Sequence, residues 1–192
     1  MGYYYYLAPQ LPYLVYGQEV PMSPAAFIAL AQDTMSAADA AALKYCTLDP
    51  EPLDQGQPDP GPAYSGQAQI TGSEFIDRWK EWERTLRLNL ARGRALKFKR
   101  EAAVDAPEYP ADAALAAKNA LAMESAFEAE LFLDKARWNT IERFQGINVF
   151  SETAMYAYLL KLLLLERRAA FDTEKGFTEY KALYDAILGE PK

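Results

Sequence analysis

Apolar residues recur three and four apart over most of this chain, the spacing of amphipathic helices rather than of strands. The clearest stretch runs from Glu124 to Asp172 and predicts two long helices joined at Gln145-Gly146-Ile147-Asn148. The first carries Leu131, Trp138, Ile141 and Phe144. The second opens at Ser151, passes through Tyr156, Leu159, Leu160 and Leu162, and closes on Glu166-Arg167-Arg168. Upstream, Phe75, Ile76, Trp79, Trp82, Leu86 and Leu90 trace one face of a helix that starts after Ser73, with Arg78, Lys80, Arg84 and Arg87 opposite. An Ala-, Leu- and Lys-rich run from Asp112 predicts a further helix leading into the central pair. Nearer the start, Ser23-Pro24 supplies an N-cap and a proline at the first helical position, predicting a short helix through Phe27, Ile28, Leu30 and Ala31 to about Gln32. Ser36 caps the next, over 37–48. A last stripe, Phe177, Tyr180, Leu183, Tyr184 and Ile187, predicts a helix over 173–188 ended by Gly189 and Pro191.

The helical pattern fails in two places. Tyr3 to Leu7 and Tyr13 to Tyr16 are short aromatic runs limited by Pro9 and Pro12, which predict a small strand or extended arm held on the helices by its tyrosines. Residues 49–66 contain Pro50, Pro52, Pro58, Pro60 and Pro62 with three glycines, a density no regular element survives. The expected protein is an all-α, multi-helix bundle with a short extended aromatic N-terminal segment. Its expected parts are an arm with short helices over 1–48, a Pro/Gly-rich loop over 49–72 and a main bundle over 73–192, together one compact domain.

Charge adds an asymmetry that hydropathy does not show. The 192 residues carry a formal charge of −7, which works against nucleic acid and anionic membrane as partners of the whole molecule. Residues 1–77 hold one Lys against nine acids, 78–100 hold nine Lys or Arg against Glu81 and Glu83, and 101–192 hold ten basic against sixteen acidic residues. The basic block makes Arg84, Arg87, Arg92, Arg94, Lys97, Lys99 and Arg100 a candidate partner-binding face. An acidic protein surface fits it better than nucleic acid, because Trp79 and Trp82 lie on the apolar face and are not interleaved for base stacking.

Candidate chemistry is thin. There is no histidine, which removes the usual general base near neutral pH, the His-dependent nucleophile systems and nearly all zinc sites. The one cysteine, Cys46, cannot form an intramolecular disulfide and reads as a small buried hydrophobe. Glu124, Glu128, Glu130 and Asp134 stand at helical spacing, but di-iron bundles of carboxylate type require histidines as well. Asp134 beside Lys135 and Arg137 reads instead as ion pairing on a solvated face, and Glu166 as a buried partner of Arg137 or Arg143 that sets the register of the two long helices. No Gly-rich phosphate loop is present. Neither catalytic residues nor a cofactor or metal site is therefore assigned. No basic n-region or long apolar core marks the start as a signal peptide, and the most apolar run, Thr153 to Leu165, is interrupted by Lys161. A cytoplasmic protein is expected, peripheral to a membrane only through a complex.

The segment from Glu124 to Trp138 contains Glu130-x-x-Leu133-Asp134-Lys135-x-x-Trp138. It resembles the E-x-x-L-D-K-x-x-W/F helix of the V/A-type ATPase C-subunit family, whose eukaryotic member is the d-subunit. It is more similar still to a short bacterial family whose genes lie among V-type ATP synthase genes. That family tends to open with a tyrosine-rich YYYL-x-x-x-LP, matched by Tyr3 to Leu7 and Leu11-Pro12, and its last third resembles the stretch from Ala157 to Gly176, with Glu166 and Arg167. The resemblance implies a non-catalytic, helical accessory or central-stalk connector of a V/A-type rotary ATPase that acts by docking on other ATPase subunits. A helical small-ligand-binding protein or enzyme, with an aromatic pocket around Trp79, Trp82 and Trp138, is the alternative.

Overall fold

The computed structural model describes residues 2–48, 71–99 and 106–170. Within them the chain is an all-α bundle of six helices: α1 Pro24–Thr34, α2 Ala37–Ala42, α3 Glu74–Lys97, α4 Ala111–Ala122, α5 Ala126–Gln145 and α6 Glu152–Ala170. Most of the expected loop, Arg100, and the helix expected over 173–188 lie outside the described residues.

The caps explain most boundaries. Ser23 Oγ accepts the Ala26 N–H at 3.1 Å with Pro24 in the first turn, and Ser36 Oγ accepts the Asp39 N–H at 3.2 Å. The helix expected over 37–48 stops at Ala42 and tightens into a 3₁₀ turn, Leu43–Tyr45, that tucks Leu43 and Cys46 into the core. Ser73 stands at the N-cap of α3, but its hydroxyl makes no cap bond. Asp77 does the tying, accepting both the N–H (2.8 Å) and the hydroxyl (2.7 Å) of Thr71. Ser125 caps α5 through the Glu128 N–H, so the Ala-rich run and the central pair are separate helices, divided at residues 123–125.

α3 packs against α4, α5 and α6, and α6 packs against α1, α3 and α5. These two helices are the centre of the bundle. α6 buries Ala154, Met155, Tyr156, Ala157, Leu159, Leu160, Leu162, Leu164 and Leu165, which occupy nearly its whole circumference. A helix apolar all round has to be enclosed by neighbours. The buried residues of α4 are all alanines, Ala113, Ala116, Ala117 and Ala120, which lets its backbone approach α3 closely. At Gly93 a Cβ would lie 2.1 Å from Leu121 Cδ1, so a larger residue there would have to displace the end of the Leu121 side chain.

The N-terminal segment keeps only a little of the extended arm expected of it. Its pairing is a single antiparallel bridge, Tyr3 to Ser151, with the Tyr4 N–H on the Phe150 carbonyl at 2.7 Å; a 3₁₀ turn follows at Ala8–Gln10. Nor do its tyrosines hold it down as a group. Tyr4 is buried beside Leu7 and Leu14, whereas Tyr3, Tyr5, Tyr6 and Tyr13 are 55 to 89 % exposed. Tyr4, Leu7 and Leu14 are buried and Tyr16 packs on Trp138, while the other four tyrosines stay in solvent. One continuous hydrophobic cluster joins Tyr4, Leu7 and Leu14 to the helices.

Gly146 ends α5 at φ 69°, ψ −157°, a region essentially restricted to glycine. Nothing lies within 4 Å of a Cβ built there, so backbone strain alone penalises a side chain. Gly146→Ala is expected to lower stability by about 1–3 kcal/mol, measured by chemical denaturation. An unchanged midpoint would mean that the α5–α6 turn relaxes freely.

Candidate functional site

Three helices meet on a chain of buried charges. Glu83 on α3 accepts two parallel bonds from Arg137 on α5, Nε to Oε2 and Nη2 to Oε1, both 2.9 Å. Arg87, one turn further along α3, adds its Nε to Oε1 at 2.7 Å and donates its other end to the Leu48 carbonyl. Arg137 also reaches Asp134 Oδ1 at 3.2 Å, and Arg167 on α6 stands 3.9 Å from that oxygen. Arg167 continues to Glu130 at 3.0 Å, and Arg94 of α3 approaches the other Glu130 oxygen at 3.7 Å. The series crosses from α3 to α5 to α6 and returns to α3.

Its inner members are well out of water. The side chains of Arg137, Glu83 and Asp134 are 4, 9 and 1 % exposed. Burial on its own would raise both carboxyls, since it disfavours their charged forms. For Glu83 that push is overcome by Arg137 and Arg87, which hold its carboxyl below the usual range. For Asp134 burial wins over the pull of Arg167 and Arg137, and its carboxyl is raised. Asp134 Oδ2 meets no hydrogen-bond partner among the described residues, which is the geometric side of the same imbalance.

Beside this network, Tyr16 of the N-terminal segment lies across α5 and α6. Its hydroxyl donates to the Leu131 carbonyl at 3.1 Å, and its ring meets Trp138 edge-on at 5.5 Å. Lys135 Nζ and the Arg168 guanidinium lie over the same ring at 4.6 and 4.8 Å. Trp138 donates to Glu142 at 2.9 Å, and Lys161 stands over the indole while bonding Glu142 and Gln145. Burial lowers the Lys161 ammonium, with Glu142 opposing.

Of the residues singled out for the family-like motif, Glu130, Asp134 and Arg167 join the charge chain, while Lys135 and Trp138 form the seat of Tyr16. Two expectations need correcting. Asp134 does not lie on a solvated face. Glu166 is exposed and pairs with neither arginine: Arg137 is held by Glu83 and Asp134, and Arg143 by Asp112. Glu83, the true partner, stands within the apolar stripe between Trp79, Trp82 and Leu86. An acid at a core position was the signal available in the sequence.

The basic face is likewise smaller than expected. Arg87 turns inward to Glu83, and Arg84 stands 3.5 Å from Glu81. Arg92, Arg94, Lys97 and Lys99 are exposed at the far end of α3. The three tryptophans belong to the packing: Trp79 and Trp82 are 1 % exposed and stack at 5.9 Å, and Trp138 lies under Tyr16. Trp82 borders a cavity of about 280 Å³ with Asp112, Asn139 and Arg143. Among the described residues no group of three or more acidic or cysteine side chains could hold a metal ion. Burial pushes the Cys46 thiol up to about 12, which disfavours its thiolate at neutral pH. Among the described residues no helix is long and apolar enough to cross a membrane.

No protein-family model, curated protein or solved structure matches this chain.

Proposed function

We propose that the chain is a non-catalytic helical connector or accessory component of a V/A-type rotary ATPase, working by docking on other subunits. One observation carries the reading. Two of the segments that resemble the ATPase-associated families, and a residue close to the third, meet in the bundle. Tyr16 sits just beyond the tyrosine-rich start, on Lys135 and Trp138 of the central motif, and Asp134 and Glu130 of that motif meet Arg167 of the last third. A part that transmits force or holds an assembly needs helices that cannot slide, and a directional charge chain across α3, α5 and α6 supports such rigidity.

The contact surface of this reading is the end of the bundle where the N-terminus crosses the α5–α6 turn. There Tyr3 stacks on Tyr5 at 5.8 Å and Tyr5 meets Phe150 at 4.9 Å, beside exposed Ile147 and Val149. Clustered exposed apolar side chains are commonly interaction sites. The tagged chain, purified from its native host, is expected to bring down stalk or rotor subunits, and the pair Tyr5→Ser with Ile147→Ser to lose them while remaining folded. An intact, active ATPase in a strain lacking the gene would refute the reading.

A further inference from the structure

α3 ends in a surface unlike the rest of the molecule. Its last turns expose four cations, Arg92, Arg94, Lys97 and Lys99, and between them Leu96 and Phe98 stand 60 and 72 % exposed. The spacing pairs them. Arg92 precedes Leu96 by one helical turn, and Arg94 precedes Phe98 by one turn, so each apolar side chain has a cation on its own side of the helix. The terminus is closed in an ordered way: the Phe98 N–H bonds the Arg94 carbonyl at 3.1 Å, the Lys99 N–H bonds that of Leu96 at 3.0 Å, and Lys99 takes φ 54°. Glu130 offsets part of the Arg94 charge at 3.7 Å, although Arg94 itself remains largely exposed.

A merely solvated basic face gains nothing from exposing a leucine and a phenylalanine among its charges. Recognition of a nucleic-acid strand would call for aromatic rings interleaved along a basic groove, and among the described residues this end offers Phe98. Cations interleaved with insertable apolar side chains are the composition of a segment that lies on an anionic bilayer, where the apolar groups enter the acyl boundary and the cations meet the headgroups. The charge distribution sets the orientation. Within an acidic chain, residues 78–100 form the one basic block, so attraction to such a surface falls on α3. We infer that the C-terminal end of α3, through Arg92, Arg94, Lys97 and Lys99 with Leu96 and Phe98, docks on anionic lipid membranes. The inference does not depend on the ATPase reading.

Sedimentation of the full-length chain with phosphatidylserine-rich vesicles, and with pure phosphatidylcholine vesicles, tests it. Binding is expected on the first and not on the second, weakening as salt is raised. Replacing Lys97 and Lys99 by Gln should reduce partitioning roughly 25-fold, at about fivefold for each cation removed. Replacing Leu96 and Phe98 by Ser should reduce it by roughly tenfold or more without affecting the fold, since both side chains lie outside the core. Three results would each overturn the proposal: no binding to phosphatidylserine vesicles, equal binding to phosphatidylcholine, or binding indifferent to the Leu96 and Phe98 changes. The last of these, together with salt-sensitive binding to single-stranded DNA, would identify a polyanion site for nucleic acid.

Discussion

Glu83→Ala is expected to lower the unfolding free energy by about 3–5 kcal/mol, the usual consequence of leaving a buried charge without its partner. The Arg137 guanidinium, with 4 % of its side chain exposed, would keep only its bond to Asp134. Urea denaturation followed by circular dichroism measures the loss. A reduction below about 1 kcal/mol would show that the charge chain behaves as a surface pair. The complementary variant carries Glu83→Met, Asp134→Leu and Arg137→Met together. Removing the charges jointly should recover most of that stability or exceed the parent's, because the desolvation of three ionised groups disappears with their attraction. Such a variant would show whether the network serves stability or helix register.

The same residues set the response to acid. Glu83 has a depressed carboxyl, so its contribution is present above the unfolded value of about 4.5 and is lost as pH falls through the lower folded value. Asp134 has a raised carboxyl and acts with the opposite sign. Its contribution favours the folded chain below the unfolded value of 3.8 and is lost as pH rises through the folded one. Glu83→Gln should therefore flatten the fall in stability at acid pH. Asp134→Asn should remove the opposing slope and leave the Glu83 dependence in place. Stability curves of the two variants that coincide would contradict this assignment.

Trp82→Ala is the second large effect, at about 3–5 kcal/mol for deleting a buried indole. Trp82 is 1 % exposed, stacks on Trp79 and donates its Nε1–H to Asp112 at 2.8 Å. Asp112, in the first turn of α4, also accepts from Arg143 of α5; burial would raise its carboxyl, but these two bonds outweigh that and hold it low. Losing the indole would thus open a void and unfasten α4 where small alanines provide little grip of their own. Trp82→Phe keeps most of the apolar volume and loses the bond, so it should cost clearly less than the alanine variant. Equal losses would place the energy in the hydrogen bond rather than in packing.

The periodicity of Phe75, Trp79, Trp82, Leu86 and Leu90 is enough to place α3 and its buried face, because apolar area sorts inward wherever the helix lies. Ser23, Ser36 and Ser125 are each bonded across a single turn, a local matter that three or four residues decide. The run of N-terminal tyrosines, by contrast, does not reveal which of its members is covered. That depends on where α1, α5 and α6 pass. Glu83 and Arg137, 54 residues apart, show the limit most clearly.

The sequence by itself determined the helical class, the burial of the central leucines, the absence of histidine chemistry and the basic character of α3. Only the tertiary structure decided that Glu83 rather than Glu166 holds Arg137, that Arg87 leaves the basic face, and that Tyr16 seats on Lys135 and Trp138. Periodicity and capping depend on neighbours one turn away, so they are written locally. The partner of a buried charge depends on which side chains of neighbouring helices come within about 3 Å of it, the reach of a hydrogen bond, and that is fixed only when the bundle closes.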